Sequence, residues 1–167
     1  APGKPHALVR NGTQVEHFAQ VPTVLKIQPD GRPVIGYFGA ISEWFDMPLV
    51  VAAARARPDW RFVLVGSTFG CDVTEAQKLA NMEFVGEVPY AELPGWVHAF
   101  DVCTIPFVLN ELTSCTNPVK VYEYLSAGKP VVATRMPELE AIAEQVRLAD
   151  DAAGFVVGHV VVPARRR

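Results

Sequence analysis

Asn117-Pro118-Val119-Lys120-Val121-Tyr122-Glu123-Tyr124-Leu125-Ser126-Ala127-Gly128-Lys129-Pro130-Val131-Val132-Ala133-Thr134 decides the fold, because it spells a short helix with its own start and stop signals feeding a buried strand. Asn117 is a residue type that caps orphan amides, and Pro118 suits a first helical position where no donor is needed. Gly128 stands where a left-handed C-terminal residue is wanted. Lys120 and Glu123 then share one helical face, close to an N-terminus that itself favours anions. A cation beside a hydrogen-bond-accepting carboxylate suits a diphosphate joined to a ribose. The competing reading is a solvated ion pair worth about a few tenths of a kcal/mol.

Outward from this stretch, apolar runs of strand length alternate with segments of helical period, the pattern of a parallel sheet with crossover helices. Strands are predicted at residues 33–39, 61–66, 82–86, 101–107 and 129–134. Helices are predicted at residues 48–56, at 72–80 with Thr74 or Asp72 as cap, at 89–100 and at 137–146. In residues 89–100 the stripe Leu93, Trp96, Val97 and Phe100 reads as core, and His98 as structural. Residues 153–162 read as helix or strand, their β-branched content weakening the helix. Residues 1–30 mix Pro, Gly and short apolar runs without a sustained period, so they form a lead-in segment to a domain at 31–167.

The 167 residues are one domain's worth, enough to bury a core. Half are hydrophobic, a fifth are charged and the net charge is -3, a balance that implies no bulk affinity for nucleic acid. Arg165-Arg166-Arg167 reads as a solvated tail. Cys71, Cys103 and Cys115 lack the paired spacing of a zinc site or redox dithiol, which points to a reducing compartment; Cys103 reads as a small buried hydrophobe. Without a signal-peptide pattern, a spanning apolar run or a lipidation motif, the expectation is a cytoplasmic domain, with room for peripheral contact at the inner membrane face.

The opening stretch resembles the P-x-K-x-x-E-Y-L-x-x-G-K-P-V-V signature in the C-terminal half of GT-B glycosyltransferases of the group 1, family-4-like kind. A second segment, Leu8-Val9-Arg10-Asn11-Gly12-Thr13-Gln14-Val15-Glu16-His17-Phe18, resembles the I-P-N-G-V-D-x-x-x-F stretch by which such enzymes enter their donor-binding half. The fold expected is α/β, a Rossmann-like parallel sheet flanked by helices. The resemblance implies a nucleotide-sugar-binding domain from which the N-terminal, acceptor-binding half is absent. It implies sugar transfer from a nucleotide diphosphate sugar, usually with retention, to a glycan, lipid or small-molecule acceptor held by that other half. No metal or other cofactor is obligatory, and the isolated fragment is expected to bind nucleotide without transferring sugar.

Ligands of open parallel sheets sit beyond the carboxyl ends of the strands, where strand order reverses. The loops there nominate Gly39, which allows close backbone approach to phosphate, and Ser67, a hydroxyl or amide donor. By resemblance, main-chain groups at Glu87 and Val88 meet the base, Lys120 the diphosphate and Glu123 the ribose hydroxyls. Asn117 belongs to the set through its cap, and the polar loop of residues 107–116 would hold the sugar.

Two departures from the family pattern matter. In the E-x7-E form of the motif, the first Glu falls on Cys115, which cannot accept sugar hydroxyls as a carboxylate does, leaving Thr113, Ser114, Thr116 or Glu111 to do so. The basic pair expected after the first strand is replaced by Ala40-Ile41-Ser42-Glu43-Trp44-Phe45-Asp46, so Lys120 and the helix N-terminus carry the phosphate, with Arg135 a distant second. Modest nucleotide affinity follows. Glu43 and Trp44 either line the cleft or cap the next helix. No catalytic base or acid is assigned.

The alternatives are half of a GT-B nucleotide-sugar epimerase and a noncatalytic Rossmann-like interaction module. Against a receiver-type module stands the lack of an acidic cluster ending the first strand. Against a dinucleotide oxidoreductase stands the lack of G-x-G-x-x-G after any strand.

Overall fold

The apolar runs become six strands: β1 (Val34–Phe38), β2 (Arg61–Val65), β3 (Met82–Gly86), β4 (Val102–Ile105), β5 (Val131–Thr134) and β6 (Val146–Ala149). In the computed structural model, which describes Ala7 and residues 9–156, they form one sheet in the order β3-β2-β1-β4-β5-β6. Every neighbouring pair is parallel. Strands β1, β4 and β5 are buried along their whole length, as strands covered on both faces must be. Strand order reverses between β1 and β4, so a crevice opens beyond their carboxyl ends. The Rossmann-like α/β expectation is met.

Around them lie helices α1 (Val15–Ala19), α2 (Met47–Ala56), α3 (Thr74–Gln77), α4 (Leu93–Val97), α5 (Glu111–Ser114), α6 (Val119–Ser126), α7 (Pro137–Glu140) and α8 (Ala152–Val156); the helix expected over residues 89–100 is a 3-10 turn at Tyr90–Glu92 followed by the five-residue α4. The stop signal of α6 works as read. Gly128 has φ 67°, its N–H donates to the Leu125 carbonyl, and the Lys129 N–H reaches back to Tyr124, the two bonds of a Schellman closure. The start signal works differently. Pro118 is the cap residue itself and no side chain caps the helix. Asn117 is instead drawn away by Asn11: the Asn11 N–H donates to Asn117 Oδ1 at 3.0 Å, and Asn11 Nδ2 donates to the Asn117 carbonyl at 2.7 Å. The lead-in segment thus docks on the helix through the two motifs singled out in the sequence.

Elsewhere the boundaries shift for local reasons. Helix α3 is one turn rather than nine residues; Asp72 accepts from the Thr74 N–H, but the helix breaks by Lys78. Residues 137–146 are not one helix. After α7 the chain turns through i to i+3 bonds, Leu139 to Met136 and Ile142 to Leu139, and Val146 then opens the edge strand β6. Leu139, Ile142 and Val146 have helical spacing, yet pairing with β5 claims the last of them. Of residues 153–162, those up to Val156 belong to α8, and the rest lie outside the described residues, as does the arginine tail.

The core follows the predicted stripe, with Leu93, Val97 and Phe100 buried and His98 satisfied by the Phe18 carbonyl at 2.8 Å. Cys103 is fully buried in β4, and burial pushes its thiol well above the usual range. Lys129 is also structural, donating to the carbonyls of His98 and Phe100.

Fully buried Tyr124 takes the Phe38 N–H, at 3.0 Å, onto its hydroxyl at the end of β1. Tyr124→Phe keeps the shape and orphans that amide, a cost of about 1–3 kcal/mol. A thermal melt should therefore show the midpoint falling by roughly 3–10 °C.

Candidate functional site

Three neighbouring strands each run into a glycine of positive φ: Gly39 at 127° after β1, Gly66 at 146° after β2, and Gly86 at 82° at the end of β3. Their contact is intimate. A Cβ on Gly66 would lie 2.0 Å from the Gly39 carbonyl oxygen, so only glycine lets the two loops touch. The Gly39 N–H donates to Val65 and the Ile41 N–H to Ser67, locking the pair of loops together. Between them and the β3 loop lies a cavity of about 250 Å³, lined by Gly39, Gly66, Ser67, Glu87, Val88 and Leu93 among others. The loop residues nominated from sequence therefore converge on one space.

Helix α6 brings Lys120 to the edge of this space. A Cβ on Gly39 would be 3.3 Å from Lys120 Nζ, which also lies 5.3 Å from the centre of the Tyr37 ring and 5.0 Å from that of Phe107. The ammonium thus sits over two aromatic faces at the ends of β1 and β4, where the strand order reverses. Burial lowers its pKa to about 8, with Glu123 pulling the other way. Glu123, one turn along, is only 7% exposed, and burial raises the pKa of its carboxyl despite the opposing charges of Lys120 and His17.

Neither side chain has a hydrogen-bond or ion-pair partner among the described residues. The surface-ion-pair reading fails on this point. Two charged groups are held in partly desolvated positions, close enough to influence each other yet not paired among the described residues, an arrangement that costs stability.

On the other side of Lys120 a second cavity, of about 380 Å³, is lined by Trp44, Phe107, Leu112, Thr113, Thr116, Asn117, Pro118, Val119 and Lys120. Thr113 is inward-facing: its hydroxyl donates to the Val108 carbonyl and accepts from the Asn110 N–H within a capping box that starts α5. Thr116 donates to the Leu112 carbonyl at 2.8 Å. Ser114, Glu111 and Cys115 do not line this cavity. Asn117 serves Asn11, Tyr122 and Glu138, so its amide is a structural hub at the rim.

The other nominated cation is taken. Arg135 donates to Asp150 at 2.6 Å and to Glu140 at 3.0 Å. Of the two acidic-loop candidates, Trp44 lines the cavity beside Lys120, and Glu43 lies in a separate hollow near Arg55 and Asp72. Neither caps α2, because Asp46 does so by accepting from the Leu49 N–H at 2.9 Å. Sequence reasoning missed Tyr37 and Phe107 as the walls around Lys120. Their strand-end positions were the available signal; Tyr37 reads only as part of an apolar strand run, and Phe107 also as the first residue of the sugar-holding loop. Among the described residues there is no cluster of metal-ligating side chains, and no helix is long and apolar enough to cross a membrane.

Comparison with known proteins places these features in context. A family model described as "Glycosyl transferases group 1" matches residues 32–162. A Bacillus subtilis (strain 168) protein described as "Putative teichuronic acid biosynthesis glycosyltransferase TuaH" is 33% identical over 136 residues, covering 77% of this chain and 34% of that protein. Among solved structures, Anabaena HepE in complex with UDP and glucose superposes with a TM-score of 0.61 at 18% identity, covering 87% of this chain and 44% of that one. An E. coli structure described as "Trehalose-6-phosphate" bound with UDP-2-fluoro glucose gives 0.63 at 11% identity, covering 92% and 44%. At such identities these last two likenesses concern the fold. The chain spans about a third of the curated relative's length and less than half of these solved ones.

Proposed function

The chain belongs to the group 1 glycosyltransferases, and from that premise we propose that it is the donor-binding half of such an enzyme, holding a nucleotide diphosphate sugar across the Lys120 junction. The observation that carries this reading is Lys120 beside Gly39 at the β1/β4 switch point, with one cavity on each side and Glu123 one turn along α6, neither charge having an ion-pair partner among the described residues. The glycine-walled cavity takes the base and ribose, with main-chain groups at Glu87 and Val88 and the Ser67 loop around them. Lys120 and the N-terminal amides of α6 take the diphosphate, Glu123 the ribose hydroxyls, and the second cavity the sugar. The domain proper is residues 31–167, and the preceding segment is joined to it through Asn11, which bonds Asn117.

In the transfer itself the nucleoside diphosphate departs as an anion, and the groups that help must be aimed where that charge grows. Lys120, fixed over two rings beside Gly39, is so placed, and no metal ion is needed in this scheme. We assign a retaining outcome, an acceptor carried by a further domain, and no turnover by this chain alone. The curated relative's description supports a growing glycan as the acceptor class. A cytoplasmic location, with contact at the inner membrane face, fits that role.

The test is calorimetric titration of the chain with UDP, GDP and ADP and their sugar conjugates, followed by incubation with acceptors. Binding without glycoside is the expected result. Because free Lys120 loses its proton near pH 8 while a bound diphosphate favours the protonated form, affinity for a sugar nucleotide should be flat below pH 7. Above pH 8 it should fall, approaching about tenfold per pH unit. A profile that stays flat to pH 9.5 would remove Lys120 from the diphosphate.

A further inference from the structure

The cavity on the far side of Lys120 has a chemical bias that bears on which sugar it takes. Its lining includes Trp44, Phe107, Leu112, Pro118 and Val119, with no carboxylate residue among those that line it. Its polar members are largely committed. Thr113 uses its hydroxyl both as donor and as acceptor within its own loop, and the Thr116 proton goes to the Leu112 carbonyl. The Asn117 side chain accepts from the Asn11 N–H and shares its amide with Tyr122 and Glu138. Lys120 can donate but not accept, and its charge faces the Gly39 side, where a phosphate would sit.

A hydroxyl-rich hexose entering this space would lose water and find few acceptors. A sugar carrying a methyl where glucose carries a hydroxymethyl would bring an apolar group to a mostly apolar lining and one hydroxyl fewer to satisfy. We propose that this cavity selects a 6-deoxyhexose as the transferred sugar of the nucleotide donor, an inference that rests on the donor-binding reading above. The preference has a ceiling. An apolar pocket rejects an added hydroxyl by no more than about 100-fold, because such a wall can yield or admit a water.

The experiment compares matched donors that differ only at C6. UDP-glucose is set against UDP-6-deoxyglucose, dTDP-glucose against dTDP-6-deoxyglucose, and GDP-mannose against GDP-6-deoxymannose, each by calorimetry on the full chain, with UDP, dTDP and GDP alone as references. For the base that binds, the 6-deoxy donor should be tighter by roughly 5- to 100-fold. Leu112→Asn, a change at an exposed side chain that supplies an acceptor to the wall, should narrow that ratio at least threefold while leaving the affinity for the bare diphosphate unchanged. Equal or tighter binding of the hydroxylated donor, with the bare diphosphate still bound, overturns the sugar assignment and leaves the nucleotide site standing. A ratio that Leu112→Asn does not move also overturns it, since the discrimination would then arise elsewhere. If none of the bare diphosphates binds, the donor-binding reading falls, and the sugar assignment with it.

Discussion

Lys120→Met is expected to weaken nucleoside diphosphate binding by roughly 10- to 100-fold, the worth of about 1.5–3 kcal/mol in a charge-assisted contact. The same change should leave the folded protein as stable as before or more stable. The two effects come from one cause. In the folded chain the ammonium is partly desolvated over Tyr37 and Phe107 without an ion-pair partner among the described residues, so its removal relieves a penalty on the order of 1–3 kcal/mol.

The pH dependence has a definite sign. The folded pKa, about 8, lies below the ordinary lysine value of 10.5. Between the two the unfolded chain binds the extra proton, and wild-type stability rises with pH. The advantage of Lys120→Met should therefore be fully present at pH 7 and shrink towards pH 10. Chemical denaturation of both proteins across that range, alongside calorimetric titration with UDP and GDP, measures both halves. A variant that loses stability but keeps its affinity would return Lys120 to a purely structural role. Glu123→Gln should behave in parallel, with weaker binding and no loss of stability, because burial disfavours its charged form as well.

Gly66→Ala should do the opposite to stability. Its Cβ would stand 2.0 Å from the Gly39 carbonyl oxygen, backbone that cannot swing aside, and its φ of 146° is one that an L-residue rarely adopts. Relief requires the loops after β1 and β2 to separate, which breaks the Gly39-to-Val65 and Ile41-to-Ser67 hydrogen bonds. We expect a loss of about 2–4 kcal/mol, or roughly 4–16 °C in melting temperature, together with loss of nucleotide binding. Gly86→Ala serves as the control. It shares a positive φ, 82°, but a Cβ there meets nothing within 4 Å, so only the conformational cost of about 1 kcal/mol should appear. Melting curves that place the two variants together would show that the loop contact contributes little.

Much of the architecture was legible from periodicity alone. Buried parallel strands are continuous apolar runs, and β1, β2, β4 and β5 announced themselves in that way. Strand β6 did not, because four residues at a sheet edge, Val-Arg-Leu-Ala, carry too little pattern to compete with the helical spacing that precedes them. Asn117 shows the limit of local rules. Its cap preference is genuine, yet Asn11, 106 residues away, offered two hydrogen bonds that a cap could not match. Thr113 likewise reads as a free polar loop residue, while the fold turns it inward to close its own capping box.

By itself, the sequence determined the alternation of strands and helices, the left-handed stop at Gly128, and the presence of a lysine and a glutamate on one face of a short helix. Those are short-range properties, dictated by side-chain spacing and backbone sterics. Tertiary structure alone decided whether that lysine and glutamate would be a spent ion pair or two charges unpaired among the described residues, with the lysine at the β1/β4 junction, and whether the hydroxyls nearby would face the cavity or their own backbone. Pairing and burial depend on what distant segments bring to the same place, and the partners that matter here, Tyr37, Gly39, Phe107 and Asn11, arrive from far along the chain.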